Sequence, residues 1–263
     1  MKVAIAGAGG RMGRTLVDGV IASSDLLLAV ALEVTGSPLV GQSAAPGSAV
    51  LVSDDIGSIA DADVLIDFTR PAGTLAHLEQ CVRHGRAIVI GTTGFSDEER
   101  QRIDAASQNI PIVFSPNMSV GVNVTLKLIE IATKALAEDY DIEVLEMHHK
   151  HKIDAPSGTA LRIGEVIAGA MDQKLDDSAV YSREGVTGER KKKSIGFAVL
   201  RGGDVVGEHT VMFAGGGERV EITHRATSRN TFSGGALRAA RFLIGRPPGL
   251  YQMDDVLGLS EVG

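Results

Sequence analysis

The chain has 263 residues, of which 44% are hydrophobic and 22% charged, a balance typical of globular proteins with one large or two modest domains. Its formal net charge of −7 argues against nucleic acid as the main partner, because binding to phosphates requires a basic surface. No apolar run is long enough to span a membrane, and the amino-terminal apolar stretch stops too early for a secretion signal. The single cysteine, Cys81, excludes an internal disulfide and is expected to be a buried apolar side chain. We therefore predict a cytoplasmic protein.

The predicted elements begin with a buried strand at residues 2–6, which leads directly into a glycine-rich turn, Gly7-Ala-Gly-Gly-Arg-Met-Gly13. A helix is predicted at 14–22, and a second strand at 26–32 ends next to Glu33. This order of strand, glycine turn, helix, strand and acid is typical of dinucleotide binding, because glycines let the backbone approach a pyrophosphate and the acid accepts from a ribose hydroxyl. The spacing is G-x-G-G-x-x-G rather than the strict G-x-G-x-x-G, and a tight structural turn is the alternative for the motif alone.

Further strands alternate with helices in the first half of the chain. Strands are predicted at 49–52, 64–68, 87–90 and 112–114, and helices at 72–83 and 97–107. This alternation predicts an α/β fold with a parallel, doubly wound sheet, in which ligands bind beyond the carboxyl ends of the strands. Small hydroxyl and amide residues follow these ends at 69–71, 91–94 and 115–118, where we expect the nicotinamide and its ribose. For any single one of these residues, a satisfied turn is the plainer explanation.

The residues around Glu33 also bear on the choice of cofactor. A carboxylate that accepts from the adenosine 2′-hydroxyl repels a 2′-phosphate, so use of NADP requires a nearby cation. The next residue, Val34, offers none, although Arg11 and Arg14 at the start of the first helix partly compensate. We expect NADH to be used well, alongside or ahead of NADPH.

A histidine-rich run follows an alternating strand predicted at 141–150. It places His148, His149 and His151 within four positions, interleaved with Lys150 and Lys152. A zinc site is the rival hypothesis for this run. It is disfavoured because a strand would put His148 on the opposite face from the other two histidines, and because no cysteine lies nearby. We therefore predict no metal.

A helix start follows the histidine run at once. Ser157 is a good N-cap for a helix predicted to reach residue 171, and the amides of Gly158 and Thr159 would face an anion placed there. Plain helix capping explains the same residues. Because Lys152 and three histidines lie immediately before this helix end, a dicarboxylate could bind the helix end with one carboxylate and Lys152 or a histidine with the other.

The remaining elements are predicted from alternation and glycine breaks. The predicted elements are a helix at 120–137, a long polar loop at 172–193 with a solvated basic run at 190–193, strands at 194–201, 205–214 and 219–226, and a final helix at 230–244. Glycines between the three strands predict antiparallel hairpins, and with the strand at 141–150 they form an open mixed sheet. Helices would cover one face of this sheet, and a partner subunit the other. The final helix is expected to pack back on the first domain.

The sequence resembles the dihydrodipicolinate reductase family over essentially the whole chain. The matching motifs are residues 3–13, 67–71, 91–95 and 146–159. The last motif is highly specific, since no general fold constraint demands His-His-x-His-Lys before a Ser-Gly-Thr helix start. The resemblance implies NAD(P)H-dependent reduction of 4-hydroxy-tetrahydrodipicolinate to tetrahydrodipicolinate in the diaminopimelate route to lysine.

The resemblance also implies an architecture. It is a Rossmann-type doubly wound parallel sheet followed by a second α+β domain with an open mixed sheet. Residues 1–117 and 229–263 would form the dinucleotide-binding domain, and 118–228 a domain for substrate binding and oligomerisation. Members of the family form homotetramers through the second-domain sheet, which agrees with the uncovered face inferred above.

Site residues follow from the same motifs. The pyrophosphate and adenosine ribose would be held by Gly7, Ala8, Gly9, Gly10, Arg11, Met12 and Glu33. The nicotinamide end would be lined by Gly91, Thr92, Thr93, Ser115, Pro116, Asn117 and Met118. The substrate dicarboxylate would be held by His149, Lys152, Gly158 and Thr159. His148 and Lys152 would be the acid–base pair, one of them meeting the charge that develops when hydride reaches C4 of the substrate.

Two positions depart from the pattern of the well-known members. Val34 stands where they have an arginine, directly after the acidic residue expected to bind the ribose, and Met118 stands where they have an aromatic residue. Two other function classes remain as alternatives. A related two-domain amino-acid dehydrogenase would share the glycine motif but lack the histidine run. A non-catalytic NAD(P)-sensing protein would bind the nucleotide without turnover.

Overall fold

The computed structural model describes residues 1–228 and 230–262. Arg229 and Gly263, the two ends of the predicted carboxy-terminal segment 229–263, lie outside the described residues. Contacts divide the chain into two compact units. Unit 1 comprises Met1–Val120 and Asn230–Val262, and unit 2 begins at Gly121 and holds the described residues up to 228.

A seven-stranded sheet forms the centre of unit 1. Its strands are β1 (Lys2–Ala6), β2 (Leu27–Leu32), β3 (Val52–Ser53), β4 (Val64–Asp67), β5 (Ala87–Ile90), β6 (Pro111–Phe114) and β12 (Gly249–Tyr251). Their order is β12-β6-β5-β4-β1-β2-β3, and all their pairings are parallel. The strand order reverses at β1, which lies between β2 and β4, so the carboxyl end of β1 is the switch point where open α/β sheets bind ligands.

Helices cover both faces of this sheet, as predicted for a doubly wound fold. They are α1 (Arg11–Ile21), α2 (Pro71–His84), α3 (Asp97–Ser107), α7 (Asn230–Leu243), α8 (Met253–Leu257) and a 3₁₀ helix, Ile56–Asp61. Alternate residues of each strand point to opposite faces, and this splits the apolar core in two. Val3 and Ile5 pack in the core with α1 and α7, whereas Ala4 and Leu65 pack in the core with α2 and α3.

Unit 2 is built on a mixed five-stranded sheet. Its elements are α4 (Val120–Leu136), β7 (Asp141–His148), α5 (Gly158–Ala170), α6 (Leu175–Ser178), β8 (Ala179–Val180), β9 (Ile195–Arg201), β10 (Gly207–Ala214) and β11 (Arg219–Ala226). The strand order is β11-β10-β7-β9-β8. Strand β7 is parallel to β9 and antiparallel to β10. On one face, Val144, Val211 and Phe213 are fully buried in a core shared with Ile163 and Ile167 of α5.

The predicted hairpin between the second-domain strands at 194–201 and 205–214 is wrong. Strand β7 lies between β9 and β10, and only β10 and β11 form a hairpin. The reason is that β9 runs parallel to β7, so the chain crosses over β7 to begin β10 on its other side. This order makes β7, which carries His148, a strand paired on both edges.

The long polar loop predicted at 172–193 is interrupted by α6 and β8, and residues 181–193 contain no helix or strand. Residues 191–193 of its basic run are exposed as predicted, whereas Arg190 is not simply solvated. Arg190 donates to Asp141, to Glu143 and to the carbonyls of Ile142 and Ser194. These bonds fix the end of the segment to the sheet, because a guanidinium presents several donors in one plane.

Smaller differences occur in unit 1. The strand predicted at 49–52 is β3, Val52–Ser53, and α1 begins at Arg11 rather than at residue 14. Strand β12 and helix α8 were not predicted, because elements this short carry little periodicity. Cys81 is buried and free, as expected. No described helix is long and apolar enough to cross a membrane.

Candidate active site

The glycine turn after β1 brings the start of α1 against the end of the strand. Gly7 has φ +67°, in the left-handed region, and its carbonyl accepts from the Gly10 amide at 2.9 Å. A Cβ at Gly13 would lie 2.0 Å from the Gly7 carbonyl oxygen. Only glycine permits this approach, so the turn has the close strand–helix packing and exposed backbone that a pyrophosphate requires.

Glu33 follows β2 beside this turn. Its carboxylate accepts from the Gly9 amide at 2.8 Å and from its neighbour Val34 at 3.2 Å. Val34 is 73% exposed and brings no charge. The Arg14 guanidinium donates to the Gly9 carbonyl at 2.9 Å, which ties that arginine to the turn. Glu33 therefore lies against the glycine turn, where it could accept from a ribose hydroxyl.

The residues predicted to line the nicotinamide lie in the loops after β5 and β6, and some are exposed while others are buried. Thr93 and Pro116 are exposed, whereas Thr92, Ser115 and Met118 are almost fully buried. The Met118 side chain packs in the apolar core, and the Thr92 hydroxyl is bonded to other side chains inside the unit. The buried residues thus support the loops from beneath, and the exposed ones form their surface.

Gly91 shows why the loop after β5 takes this path. A Cβ there would lie 2.2 Å from the Phe68 ring, so the ring and the loop backbone approach each other only because residue 91 is glycine. The Gly91 amide also donates to the Asp67 carbonyl at 2.9 Å. The ends of β4 and β5 are therefore in direct contact.

In unit 2, the end of β7 holds a buried glutamate–histidine pair. Glu146 and His148 lie on the same side of the strand because they are two residues apart. The Nδ1 atom of His148 lies 2.6 Å from a Glu146 carboxylate oxygen, and the two residues are 8% and 2% exposed. A carboxylate only accepts, so Nδ1 is the donor and Nε2 is the second nitrogen of the ring.

Three further hydrogen bonds hold the Glu146 carboxylate. Arg201 donates from both terminal nitrogens, at 2.8 and 2.9 Å, and Ser157 donates its amide at 3.0 Å. Burial alone would raise the pKa of Glu146, but hydrogen bonds from Arg201, His148 and Ser157 outweigh it and lower the pKa below its usual value. Glu146 is therefore ionised, and it connects β7 to β9 and to the start of α5.

His209 on β10 lies opposite Glu146 in the strand register. Its ring packs edge-on against the His148 ring at 5.1 Å, and its Nε2 lies 3.0 Å from the Ser157 hydroxyl. Burial, together with the charge of His148, lowers the pKa of His209 to about 4. His209 is therefore neutral at physiological pH. Within the described part of the chain, its Nδ1 is buried without a partner.

Ser157 caps α5 as predicted, since its hydroxyl accepts from the Ala160 amide at 3.2 Å. Gly158 at the first position of the helix is exposed, and no atom lies within 4 Å of where its Cβ would be. The Lys152 ammonium lies 2.8 Å from the carboxylate of Asp154, which is on the same turn. This part of unit 2 thus combines an open helix amino terminus with a cation.

The other histidines lie in the turn after β7, because the strand ends at His148. The ring centroids of His149 and His151 are 6.2 Å apart, and the His149 amide donates to the Val205 carbonyl at 2.8 Å. Among the described residues, no group of three or more His, Cys, Asp or Glu side chains could hold a metal ion.

Three site residues were missed from the sequence: Glu146, Arg201 and His209. Glu146 carried a usable signal, since it lies two residues before His148 on a predicted strand. The other two carried none, because their approach to β7 depends on the strand order.

Comparisons with known proteins identify the family of this chain. Residues 1–118 match the family described as dihydrodipicolinate reductase, N-terminus, and residues 121–257 match its C-terminus. The 4-hydroxy-tetrahydrodipicolinate reductase of Burkholderia pseudomallei (strain 668) is 58% identical, covering 98% of this chain and 100% of the relative. The enzyme of the same name from Paraburkholderia phymatum is also 58% identical, with the same coverage.

One of the similar solved structures belongs to the same family. A dipicolinate-bound dihydrodipicolinate reductase from Paenisporosarcina sp. TG-14 has a TM-score of 0.79 and 25% identity, covering 96% of this chain and 97% of that chain. A scyllo-inositol dehydrogenase from Lactobacillus casei, with bound NAD(H) and scyllo-inositol, has a TM-score of 0.59 and 13% identity. It covers 100% of this chain and 91% of that chain, and at this identity it shows the fold alone. With both of its halves matched, the chain belongs to the dihydrodipicolinate reductase family.

Proposed function

We propose that this protein is an NAD(P)H-dependent oxidoreductase that reduces 4-hydroxy-tetrahydrodipicolinate to tetrahydrodipicolinate in diaminopimelate and lysine biosynthesis. The observation that carries the proposal is the buried Glu146–His148 pair in a chain of this family. Lys152 and the amino terminus of α5 follow this pair closely along the chain. Neither a sensing protein nor an amino-acid dehydrogenase accounts for this combination.

Unit 1 is assigned to the cofactor, and the domain roles remain those predicted for 1–117 with 229–263 and for 118–228. The glycine turn Gly7–Gly13 would hold the pyrophosphate, Glu33 the adenosine ribose, and the loops after β5 and β6 the nicotinamide end. The close approach of Gly13 to Gly7 supports this assignment, because a side chain at Gly13 would push the start of α1 away from the turn that is to hold the pyrophosphate. When bound, the nicotinamide nucleotide supplies the hydride.

His148 is assigned the proton transfer. With Nδ1 donating to Glu146, the ring presents Nε2 as the nitrogen that can exchange a proton with substrate. Gly207 lies beside this atom, since a Cβ there would be 3.0 Å from Nε2, and glycine therefore leaves space around it. Lys152 is the second candidate donor, and its ammonium would first have to leave Asp154.

The substrate carboxylates are assigned to α5 and the histidine turn. The amino terminus of a helix attracts anions, and Ser157 fixes where α5 begins. Gly158 and Thr159 would contact one carboxylate, and His149 and Lys152 the other. Two anion sites in one unit suit a dicarboxylate better than a neutral sugar.

The outer face of the unit 2 sheet supports the proposed homotetramer. Leu145, Met147, Leu200 and Met212 lie on the face opposite the helix-covered core, and Leu200 is 49% exposed. An apolar sheet face of this kind is usually covered by a partner. Light scattering of the pure protein should give four times the monomer mass, whereas a monomer would contradict the assignment.

The decisive experiment is oxidation of NADH and NADPH by the pure protein, coupled to the enzyme that forms the unstable substrate in place. Rapid oxidation that requires the coupling enzyme's product is expected with NADH, and the rate ratio of the two cofactors measures the preference. Tight nucleotide binding without turnover would overturn the reductase and favour the sensing protein. Turnover with an amino acid instead would favour the dehydrogenase.

A further inference from the structure

Asp67 at the end of β4 is a buried carboxylate that the proposed reaction does not use. It is 0% exposed, and its Oδ1 accepts from the Thr69 amide at 2.9 Å and from the Thr69 hydroxyl at 2.7 Å. Its Oδ2 lies 2.7 Å from Nδ1 of His77 on α2. Burial alone would raise the pKa of Asp67, but His77 and Thr69 outweigh it and lower the pKa. The carboxylate is therefore ionised inside the unit.

Two more threonines connect this carboxylate to the loop after β5. The Thr74 hydroxyl of α2 lies 2.8 Å from the Thr92 hydroxyl, and the Thr92 hydroxyl lies 3.3 Å from Asp67 Oδ1. Each hydroxyl has one proton to donate. The Thr74 hydroxyl also lies 3.1 Å from Asp67 Oδ1, so it has two possible acceptors. When Thr74 donates to Thr92, the other two protons go from Thr92 and Thr69 to Asp67. His77 then donates Nδ1–H to the remaining oxygen, because a carboxylate only accepts.

This network joins three separate segments at the carboxyl edge of the sheet: the turn after β4, the loop after β5 and the first half of α2. The backbone repeats the connection, since the Gly91 amide donates to the Asp67 carbonyl. The loop surface is formed by Thr93 and Gly94, which are exposed, while Thr92 is 3% exposed and points into the network. A cofactor on this loop would thus meet a backbone whose position the network sets.

We propose that Asp67 and His77 are positioning residues for cofactor binding, which hold loop 91–94 in its binding shape through Thr92 without touching the nucleotide. The proposal rests on the proposed function, which assigns this loop to the nicotinamide end. It differs from a merely structural role in one respect. Loss of the network should weaken nucleotide binding more than it weakens the fold or the use of substrate.

The test measures the dissociation constant of NADH by fluorescence titration, in parallel with the KM for substrate and the thermal midpoint. Asp67→Asn removes the charge that accepts from His77 and the threonines, and Thr92→Val removes the hydroxyl that donates to Asp67. A hydrogen bond to a charged group corresponds to about a tenfold change in affinity. We expect NADH binding to weaken about tenfold in both, with the KM for substrate little changed. Thr92→Ser, which keeps the hydroxyl, should restore much of the affinity lost in Thr92→Val.

If Asp67→Asn does not fold, His77→Gln takes its place in the test. The His77 side chain is 12% exposed, so its replacement should disturb the core less than replacement of the fully buried Asp67. His84→Gln is the matched control, since His84 is the last residue of the same helix. His77→Gln should weaken NADH binding, and its effect should be non-additive with Thr92→Val because both act through Asp67. His84→Gln should leave binding unchanged.

The outcomes separate the inference from the proposed function. Normal NADH affinity in Asp67→Asn or His77→Gln, with only a lower thermal midpoint, would overturn the positioning role and leave the reductase standing. Failure of the unaltered protein to bind NADH or NADPH would overturn both. Weaker NADH binding with a normal KM for substrate supports the network as part of the cofactor site.

Discussion

At the scale of single residues, the side chains that carry the proposed chemistry are held by partners that never meet the substrate. Glu146 accepts four hydrogen bonds from three residues, on β7, on β9 and at the start of α5, so its carboxylate has a fixed orientation. The hydrogen bond from Nδ1 to this carboxylate fixes the orientation of the His148 ring as well. A proton donor held in this way loses little freedom when substrate binds, which favours transfer.

Replacing Glu146 by Gln should therefore reduce turnover through His148. The amide can present its NH₂ group to Nδ1 instead of an acceptor, and the ring can then turn or change tautomer. We expect kcat to fall roughly tenfold or more. Glu143→Gln on the same strand is the control, because it breaks comparable ion pairs with Arg183 and Arg190 away from His148. Equal loss of kcat in both variants would contradict the role of Glu146.

Val34 provides a second prediction at this scale. Arginine at this exposed position would add a cation next to the ribose acid Glu33, where a 2′-phosphate would lie. An exposed ion pair contributes about 1 kcal/mol or less, so Val34→Arg should shift the kcat/KM ratio toward NADPH by up to about fivefold. Val186→Arg, a fully exposed valine of unit 2, controls for added charge. An unchanged ratio in Val34→Arg would remove Val34 as a determinant.

At the scale of elements, the start of α5 serves both stability and binding. The Ser157 hydroxyl accepts from the helix, and the Ser157 amide donates to Glu146, so the cap also ties the helix to the acid–base strand. The cap of α3 offers a comparison without that second connection. Ser96 accepts from the Glu99 amide and forms a capping box in unit 1.

The two caps should thus respond differently to alanine. Ser96→Ala should lower the free energy of unfolding by about 1 kcal/mol, the usual cost of losing an N-cap. Ser157→Ala should lower it by more, because the buried Nε2 of His209 also loses its partner. Only Ser157→Ala should also raise the KM for substrate, because the helix end it positions is assigned to a substrate carboxylate. Denaturant unfolding and steady-state kinetics check both statements. A raised KM for substrate in Ser96→Ala would show that loss of helix stability is sufficient.

The elements also show how far the sequence predicts the structure. Strand β1 and helix α3 occur at the predicted residues, because β1 is an apolar run that ends at a glycine turn and α3 begins with a capping box. The order β10-β7-β9 could not be predicted, since three strands separated by glycines look like successive hairpins whatever lies between them. Arg201 and His209 reach Glu146 only through that order, so this half of the site was missed with it.

At the scale of the whole molecule, several buried groups make stability depend on pH. Burial lowers the pKa of His209 to about 4 from an unfolded value of 6.5. Between these values the unfolded chain binds a proton that the folded chain does not, so stability falls as pH falls through the window. Glu146 and Asp67 have lowered pKa values, and their contribution is lost at still lower pH.

Unfolding by denaturant should show this slope. Between pH 6.5 and 4, the protein should lose at most roughly 3 kcal/mol through His209. His209→Gln should flatten the slope in that window, because glutamine does not titrate, while His84→Gln should leave it unchanged. Circular dichroism measured across the pH series would check this. An equally steep slope in His209→Gln would contradict the burial argument.

Unit 1 is built from two stretches of chain with the whole of unit 2 between them. Helix α7 packs beside α1, and Gly235 on it would bring a Cβ to 1.6 Å from the Met118 carbonyl. During synthesis, the ribosome must therefore deliver the complete second unit before the first can close its core. Until α7 is synthesised, the apolar face of the sheet next to α1 stays exposed in the nascent chain. We therefore expect unit 1 to require chaperone protection during synthesis.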